Sequence, residues 1–330
     1  MRRWIAILSS CVLLTITSFT SAESPPDLSL LARSRWAQFQ IVFGRIEVAN
    51  IHSSQNRTAT SGGESSLLER LTISGDTDIP SVRYERILPD ETVAINVING
   101  FRVEIDRQCN ASQEAAPVSF RQTSGAHVVL RIGADKNLQS YRAPSLWHLI
   151  LAEPEACETH LLPLLNLMQP SWQFDRLVAN ATDELIREAA SSDFELRHTT
   201  RKLITRLKSS DFTARQQAEV ELCSLGVGIL PHLDRLSETE LTREQQRRIE
   251  TVRHRLRGRE ADSPERLALW LVEDEHVWLS MLGHEELAVR RFAATHLTKR
   301  YTKSLDFDPH GTPSERQQQV ARIRADVLLR

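Results

Sequence analysis

The spacing of apolar residues changes once along this chain of 330 residues. Up to about residue 135, apolar and polar positions alternate, which is the period of a half-buried strand. From Pro144 onward they recur at intervals of three and four, the period of a helix with one apolar face. Within 36–51, Phe39, Ile41, Phe43, Ile46 and Val48 lie between polar neighbours, and Gly44 reads as a bulge or bend. Residues 53–66 are rich in Ser, Thr, Gly and Asn and predict a flexible loop. Strand patterns resume at 67–73 and 82–88. The clearest element follows: two β-rich runs, 92–98 and 101–106, flank Asn99-Gly100. Both of those residues tolerate positive φ, so a hairpin with a type I′ turn is predicted. Runs at 118–120 and 127–132 complete a meander, and 36–142 reads as an antiparallel sheet domain with one face covered.

The second half is helical in period. Residues 143–189 predict a connector: Leu146, Trp147, Leu149, Ile150 and Leu151 make one short apolar helix, Glu153-Pro154-Glu155 starts another, and Pro170 closes the apolar run 161–168. Beyond 190 one pattern organises the chain. Ser210 and Asp211 offer N-caps, and Phe212, Ala218, Leu222 and Leu225 fall on one predicted face. Gly226 then ends the helix, and a second apolar segment, 227–233, starts at once, as in an antiparallel helix pair. Residues 191–197 match 209–215 at five of seven positions. Seventy-five residues after Arg215, Ala218 and Leu222 come Arg290, Ala293 and Leu297. Thr242 with Gln245, Thr312 with Glu315, and Ser263-Pro264 mark further helix starts near 243, 313 and 264.

Asp211-Phe212-xx-Arg215-xx-Ala218-xxx-Leu222-xx-Leu225-Gly226, followed by Ile229-Leu230-Pro231-x-Leu233, resembles a HEAT-type repeat of exported bacterial proteins of unknown role. The stretch 287–297 resembles it too, and the likeness covers about 190–330. The resemblance implies a helical-repeat α-solenoid, in which each helix pair covers its neighbour's apolar face, and a scaffold role with no particular reaction. The expected fold is therefore α+β, an antiparallel β domain followed by an all-α repeat domain.

Composition adds the compartment. Met1-Arg2-Arg3 is a positive n-region, 4–19 is apolar and uncharged, and Thr20-Ser21-Ala22 places small residues before a cut at Glu23. At 16 residues the apolar run is short for a membrane span, so 1–22 reads as a secretory signal peptide, export to the periplasm or outside is expected, and 23–35 reads as a linker. No stable span is expected after cleavage. Beyond that cut three cysteines remain, Cys109, Cys157 and Cys223, too few and too widely spaced for a disulfide framework. A formal charge of −2 excludes a global attraction to nucleic acid or anionic membrane.

The chemistry-bearing clusters are few. Glu273-Asp274-Glu275-His276 with His284-Glu285-Glu286 holds metal-ligand types at spacings that do not clamp a metal. Asp306 and Asp308, beside Pro309, fit turn chemistry. Trp147, Trp172, Trp270 and Trp278 sit in apolar helical contexts and read as core. No G-x-S-x-G, phosphate loop or dinucleotide turn is present. No catalytic residue, cofactor or metal is expected. One basic run remains: Arg243, Arg247, Arg248, Arg253, Arg255 and Arg257, continued by Arg259, with Glu244, Glu250 and Glu260 interleaved. It is the expected partner-contact face of a non-enzymatic scaffold that binds another protein and not nucleic acid. The alternatives are a carrier or sensor that holds an apolar ligand on its β domain, and an enzyme with an unrecognised site.

Overall fold

The computed structural model describes residues 28–51, 56–62, 67–74, 81–109, 116–191, 194–234, 236, 241–258, 260–301 and 304–328. The signal-peptide reading of 1–22, and Arg259 of the basic run, lie outside these residues.

The chain opens with a short helix, α1 (Leu30–Ser34), inside the stretch read as a linker. Ser29 caps it, its Oγ accepting from Ala32 N–H, and Leu31 is buried beneath the sheet. A five-residue helix carries too little periodicity to show in a sequence. Strands β1 (Ala37–Val42) and β2 (Arg45–Ile51) then pair antiparallel as a separate two-stranded sheet. Gly44 is therefore part of a tight turn. Phe43 (φ 47°) and Gly44 (φ 64°) both take the left-handed conformation that a two-residue hairpin demands. A Cβ on Gly44 would also lie 2.5 Å from Ser145 Oγ, so the turn and the close approach both need glycine.

The main sheet has eight strands in simple meander order: β3 (Arg57–Gly62), β4 (Leu68–Ser74), β5 (Ser81–Ile87), β6 (Glu91–Ile98), β7 (Arg102–Cys109), β8 (Val118–Gln122), β9 (Val128–Ile132) and β10 (Gln139–Ala143), each antiparallel to the last. The β6–β7 hairpin forms as predicted, with Asn99 at φ 58° and Gly100 at φ 74°. Strand β3 corrects the loop reading of 53–66. Its Thr and Ser positions pair with β4 along an exposed edge, where no apolar alternation is required.

Register puts Leu71, Tyr84, Ile95, Ile105, Phe120 and Leu130 in one cross-strand row, all buried. The opposite face is polar and half-exposed, with Arg83, Asn96, Glu104 and Arg121 in one row. The β1–β2 hairpin and the helices cover the apolar face. A single buried side chain splices hairpin to sheet: Gln122 Oε1 accepts from Ile46 N–H at 2.9 Å, and its Nε2 donates to Ile46 O and Phe101 O, both at 2.8 Å. With Val48 N–H, which donates to Gly100 O at 2.8 Å, it ties β2 to the eight-stranded sheet.

Helices follow. α2 (Leu146–Ala152), α3 (Pro154–Ala156), a π-turn at Cys157–Leu161 and α4 (Leu162–Met168) lie against the sheet, and α5 (Phe174–Ser191) leads away. Then come α6 (Phe194–Arg206), α7 (Phe212–Ser224), α8 (Leu230–Asp234), α9 (Arg243–Arg257), α10 (Pro264–Leu271), α11 (Glu275–Met281), α12 (Leu287–Tyr301) and α13 (Pro313–Leu328). The predicted starts hold: Thr242 and Gln245 form a capping box on α9, and Ser263 Oγ accepts from Arg266 N–H at α10. Among the described residues no helix is long and apolar enough to cross a membrane. The fold is thus α+β, an antiparallel sheet region followed by a helical region.

The apolar interior divides unexpectedly. Leu267, Leu271, Val277, Trp278, Leu279 and Met281, together with Val289, Ala293 and Leu297, join the sheet and α2–α5 in one continuous core. A second, smaller core is built from α6–α9: Leu203, Leu207, Ala218, Leu222, Ile229, Leu233, Ile249 and Val252, with α10 touching it at Gly228 through Leu269. Helices α5 and α10 pack side by side, and Arg187 near the end of α5 acts on Glu265 in the first turn of α10. The four helices between them therefore form an excursion that leaves and returns at one place.

The likeness between 215–222 and 290–297 extends to side-chain geometry. Arg215 Nη1 donates back to the carbonyls of Ser209 and Ser210, at 2.8 and 2.9 Å. Arg290 Nη1 donates to those of His284 and Glu285, the same offsets of six and five residues. Ala218, Leu222, Ala293 and Leu297 are all buried.

Candidate functional site

Helix α9 presents an inner face, two flanks and an outer stripe, set by 3.6 residues per turn. Gln245, Ile249 and Val252 turn into the small core. On the flank towards α7, Arg248 is 9% exposed and bonds Glu244 Oε1 (2.6 Å) and Glu219 Oε2 (2.8 Å), while Arg255 reaches the other oxygen of buried Glu219 at 3.0 Å. On the flank towards α8, Arg253 pairs with Asp234 (3.1 Å) and Glu250 (3.2 Å) and donates to Leu233 O, and Arg257 meets Asp234 at 3.0 Å. The outer stripe, at spacings of four and three, is Arg243, Arg247, Glu250, His254 and Arg257, all exposed. The six predicted arginines thus do not share a face. Arg248 and Arg253 hold the excursion together, and Arg243, Arg247 and Arg257 line its outer stripe. Charge alone gave no signal for this split; the position of Ile249 and Val252 on the helical wheel did.

Phe212 departs from the sequence reading. Ala218 and Leu222 are buried as expected, but Phe212 is 61% exposed. Six residues of α-helix amount to 600°, which sets Phe212 a third of a turn away from Ala218. Its ring lies beneath the guanidinium groups of Arg215 and Arg248, at 5.8 and 5.6 Å from the centroid.

A second polar cluster joins the sheet region to the helices. The Asp262 carboxylate accepts from Phe43 N–H and Gly44 N–H at 2.7 Å each and from Trp147 Nε1–H at 2.6 Å, and Asp262 N–H donates to Ile41 O at 2.7 Å. Burial pushes its pKa up despite those donors. Beside it Ser145 Oγ lies 2.7 Å from His148 Nδ1, and His148 Nε2 lies 3.1 Å from Asp274 Oδ2. Burial opposes ionisation of Asp274, but the hydrogen bonds and charges of His148 and His276 together outweigh it, and its pKa lies below the usual value. The residue types are those of a nucleophilic triad, but the surroundings are those of a joint. Ser145 is 2% exposed, its oxygen caps α2, and the Gly44 turn packs against it. A serine enclosed by its own chain offers no approach to a substrate carbonyl.

The acidic candidates are occupied within the fold. Glu273 pairs with Arg300 at 3.2 Å, Glu275 accepts from Tyr301 Oη, and Asp274 Oδ1 accepts from His276 N–H at 2.8 Å. Asp308 Oδ1 closes a turn onto His310 N–H at 2.8 Å. Among the described residues, no group of three or more His, Cys, Asp or Glu side chains is arranged to hold a metal ion. Trp147 and Trp278 are buried, and Trp172 and Trp270 pack against the main core. A cleft of about 410 Å³ opens between the end of α5 and α12, lined by Ala189, Ala190, Phe292, Thr295, His296, Lys299 and Arg300.

Comparison with known protein families, with curated proteins and with solved structures returns no match.

Proposed function

We propose that this protein is an exported, non-enzymatic scaffold that binds another protein through its helical half. In this reading the helices beyond 190 are HEAT-type pairs of an α-solenoid, and the matched carbonyl clasps of Arg215 and Arg290 support that kinship. The observation that carries the docking role is the outer stripe of α9. Helices α6–α9 have a core of their own, so the stripe of Arg243, Arg247 and Arg257 stands on a preorganised support. The packed inward face of the sheet favours this role over an apolar-ligand carrier. The pattern of residues 1–22 supports export.

The test is site-specific photo-crosslinking in the cell that makes the protein. A crosslinking residue replaces Glu250 on the stripe, or Arg83 on the outer sheet face as a control. A discrete protein adduct from position 250 and not from position 83 is expected. Equal adducts at both positions, or none at 250, would sink the scaffold reading.

A further inference from the structure

Phe212 is the most exposed of the large apolar side chains among the described residues. A lone exposed Phe is ordinary; its surroundings are not. Both guanidiniums over its ring are fixed, Arg215 by the Ser209 and Ser210 carbonyls and Arg248 by Glu244 and Glu219. Arg247 follows Glu244 by three residues on α9, one helical turn, so that exposed arginine lies in the same patch. Arg243 lies one turn earlier on the same stripe. The result is an open aromatic surface, two immobilised cations, two exposed cations, the half-buried carboxylate of Glu244 and the buried one of Glu219. Charge sharpens the picture. Residues 194–258 hold thirteen Lys and Arg against nine Asp and Glu, +4 in a chain whose total is −2.

We propose that this patch takes an acidic linear segment of a partner protein, with an apolar side chain on Phe212 and carboxylates on Arg243 and Arg247. The inference rests on the scaffold reading and narrows it to a chemistry. Guanidinium groups grip carboxylates with two parallel hydrogen bonds, which gives direction as well as attraction. A phosphate backbone would prefer an unbroken row of cations, and Glu244 and Glu250 break this one. Such docking is steered by charge and weakens with salt.

The experiment uses the full chain and a short fluorescent peptide of Glu and Asp with one central Leu, followed by anisotropy. The controls are the same peptide with Ser for Leu, a Lys version, and a single-stranded oligothymidine. The acidic Leu peptide is expected to bind best. Phe212→Ala, and separately Arg243→Glu with Arg247→Glu, each weaken it about tenfold, with unchanged thermal midpoints because all three side chains are exposed. No binding, binding indifferent to both changes, or tighter binding of the oligonucleotide overturns the inference. If the peptide fails while crosslinks at 250 persist, the acidic-segment chemistry falls and the scaffold stands. If the crosslinks are also absent, both fall.

Discussion

His284 shows how one side chain ties the helix after it to the solution pH. Its Nδ1 accepts the backbone N–H of Glu286 at 3.1 Å, which caps the start of α12 and requires an unprotonated nitrogen. Burial lowers its pKa from the usual 6.5, against the pull of Glu286 and Glu285. The folded state therefore binds fewer protons here than the unfolded chain. Its contribution is complete above pH 6.5 and is lost as pH falls through the lower folded value. Asparagine in its place keeps an acceptor and does not titrate. Between about pH 7 and 5, the urea midpoint of the natural protein should fall relative to that of His284→Asn. Parallel midpoints across that range would refute the cap.

At the level of elements, α7 and α9 are locked by Glu219, which is buried between Arg248 and Arg255. Glu219→Ala leaves the enclosed Arg248 guanidinium with Glu244 and a long bond to Gln216 Oε1, and about 3 kcal/mol should be lost in denaturant unfolding. Glu219→Leu combined with Arg248→Met should recover most of it, because the pair's attraction is set against the cost of desolvating both charges. Elements with local signals were legible in the sequence. The caps at Thr242 and Ser263 fixed their helix starts, and Asn99-Gly100 fixed its hairpin, since each is decided within a few residues. Strand β3 was not legible: an edge strand of Thr, Ala and Ser owes its form to pairing with β4. Nor was the Phe43–Gly44 turn, whose amides are satisfied by Asp262, more than two hundred residues away. The candidate site was half legible. The arginines announced themselves, and Ile249 and Val252 marked the inward side of their helix, but the acidic partners on α7 and α8 had no local signal, and Phe212 was misplaced because apolar character alone put it on the inner stripe.

The whole molecule is organised by two cores. The helices after α9 close onto the sheet's core, while the buried side chains of α6–α9 form a second one that meets the first along α10. Unfolding should respect that division. Leu222→Ala, at a fully buried site, should cost about 3 kcal/mol. Hydrogen exchange should accelerate in α6, α7 and α9 and leave β5–β7 unchanged. Uniform acceleration through the sheet would show one cooperative unit in place of two.

The side-by-side lie of α5 and α10 has a practical consequence. Two neighbouring posts carry everything between them, like a drawer that slides from a fixed cabinet. An engineer could cut there by bridging 191 to 261 with a flexible tether, keeping Asp262 in place because it holds the Phe43–Gly44 turn and Trp147. The graft point was built into the chain by bringing those two helices together.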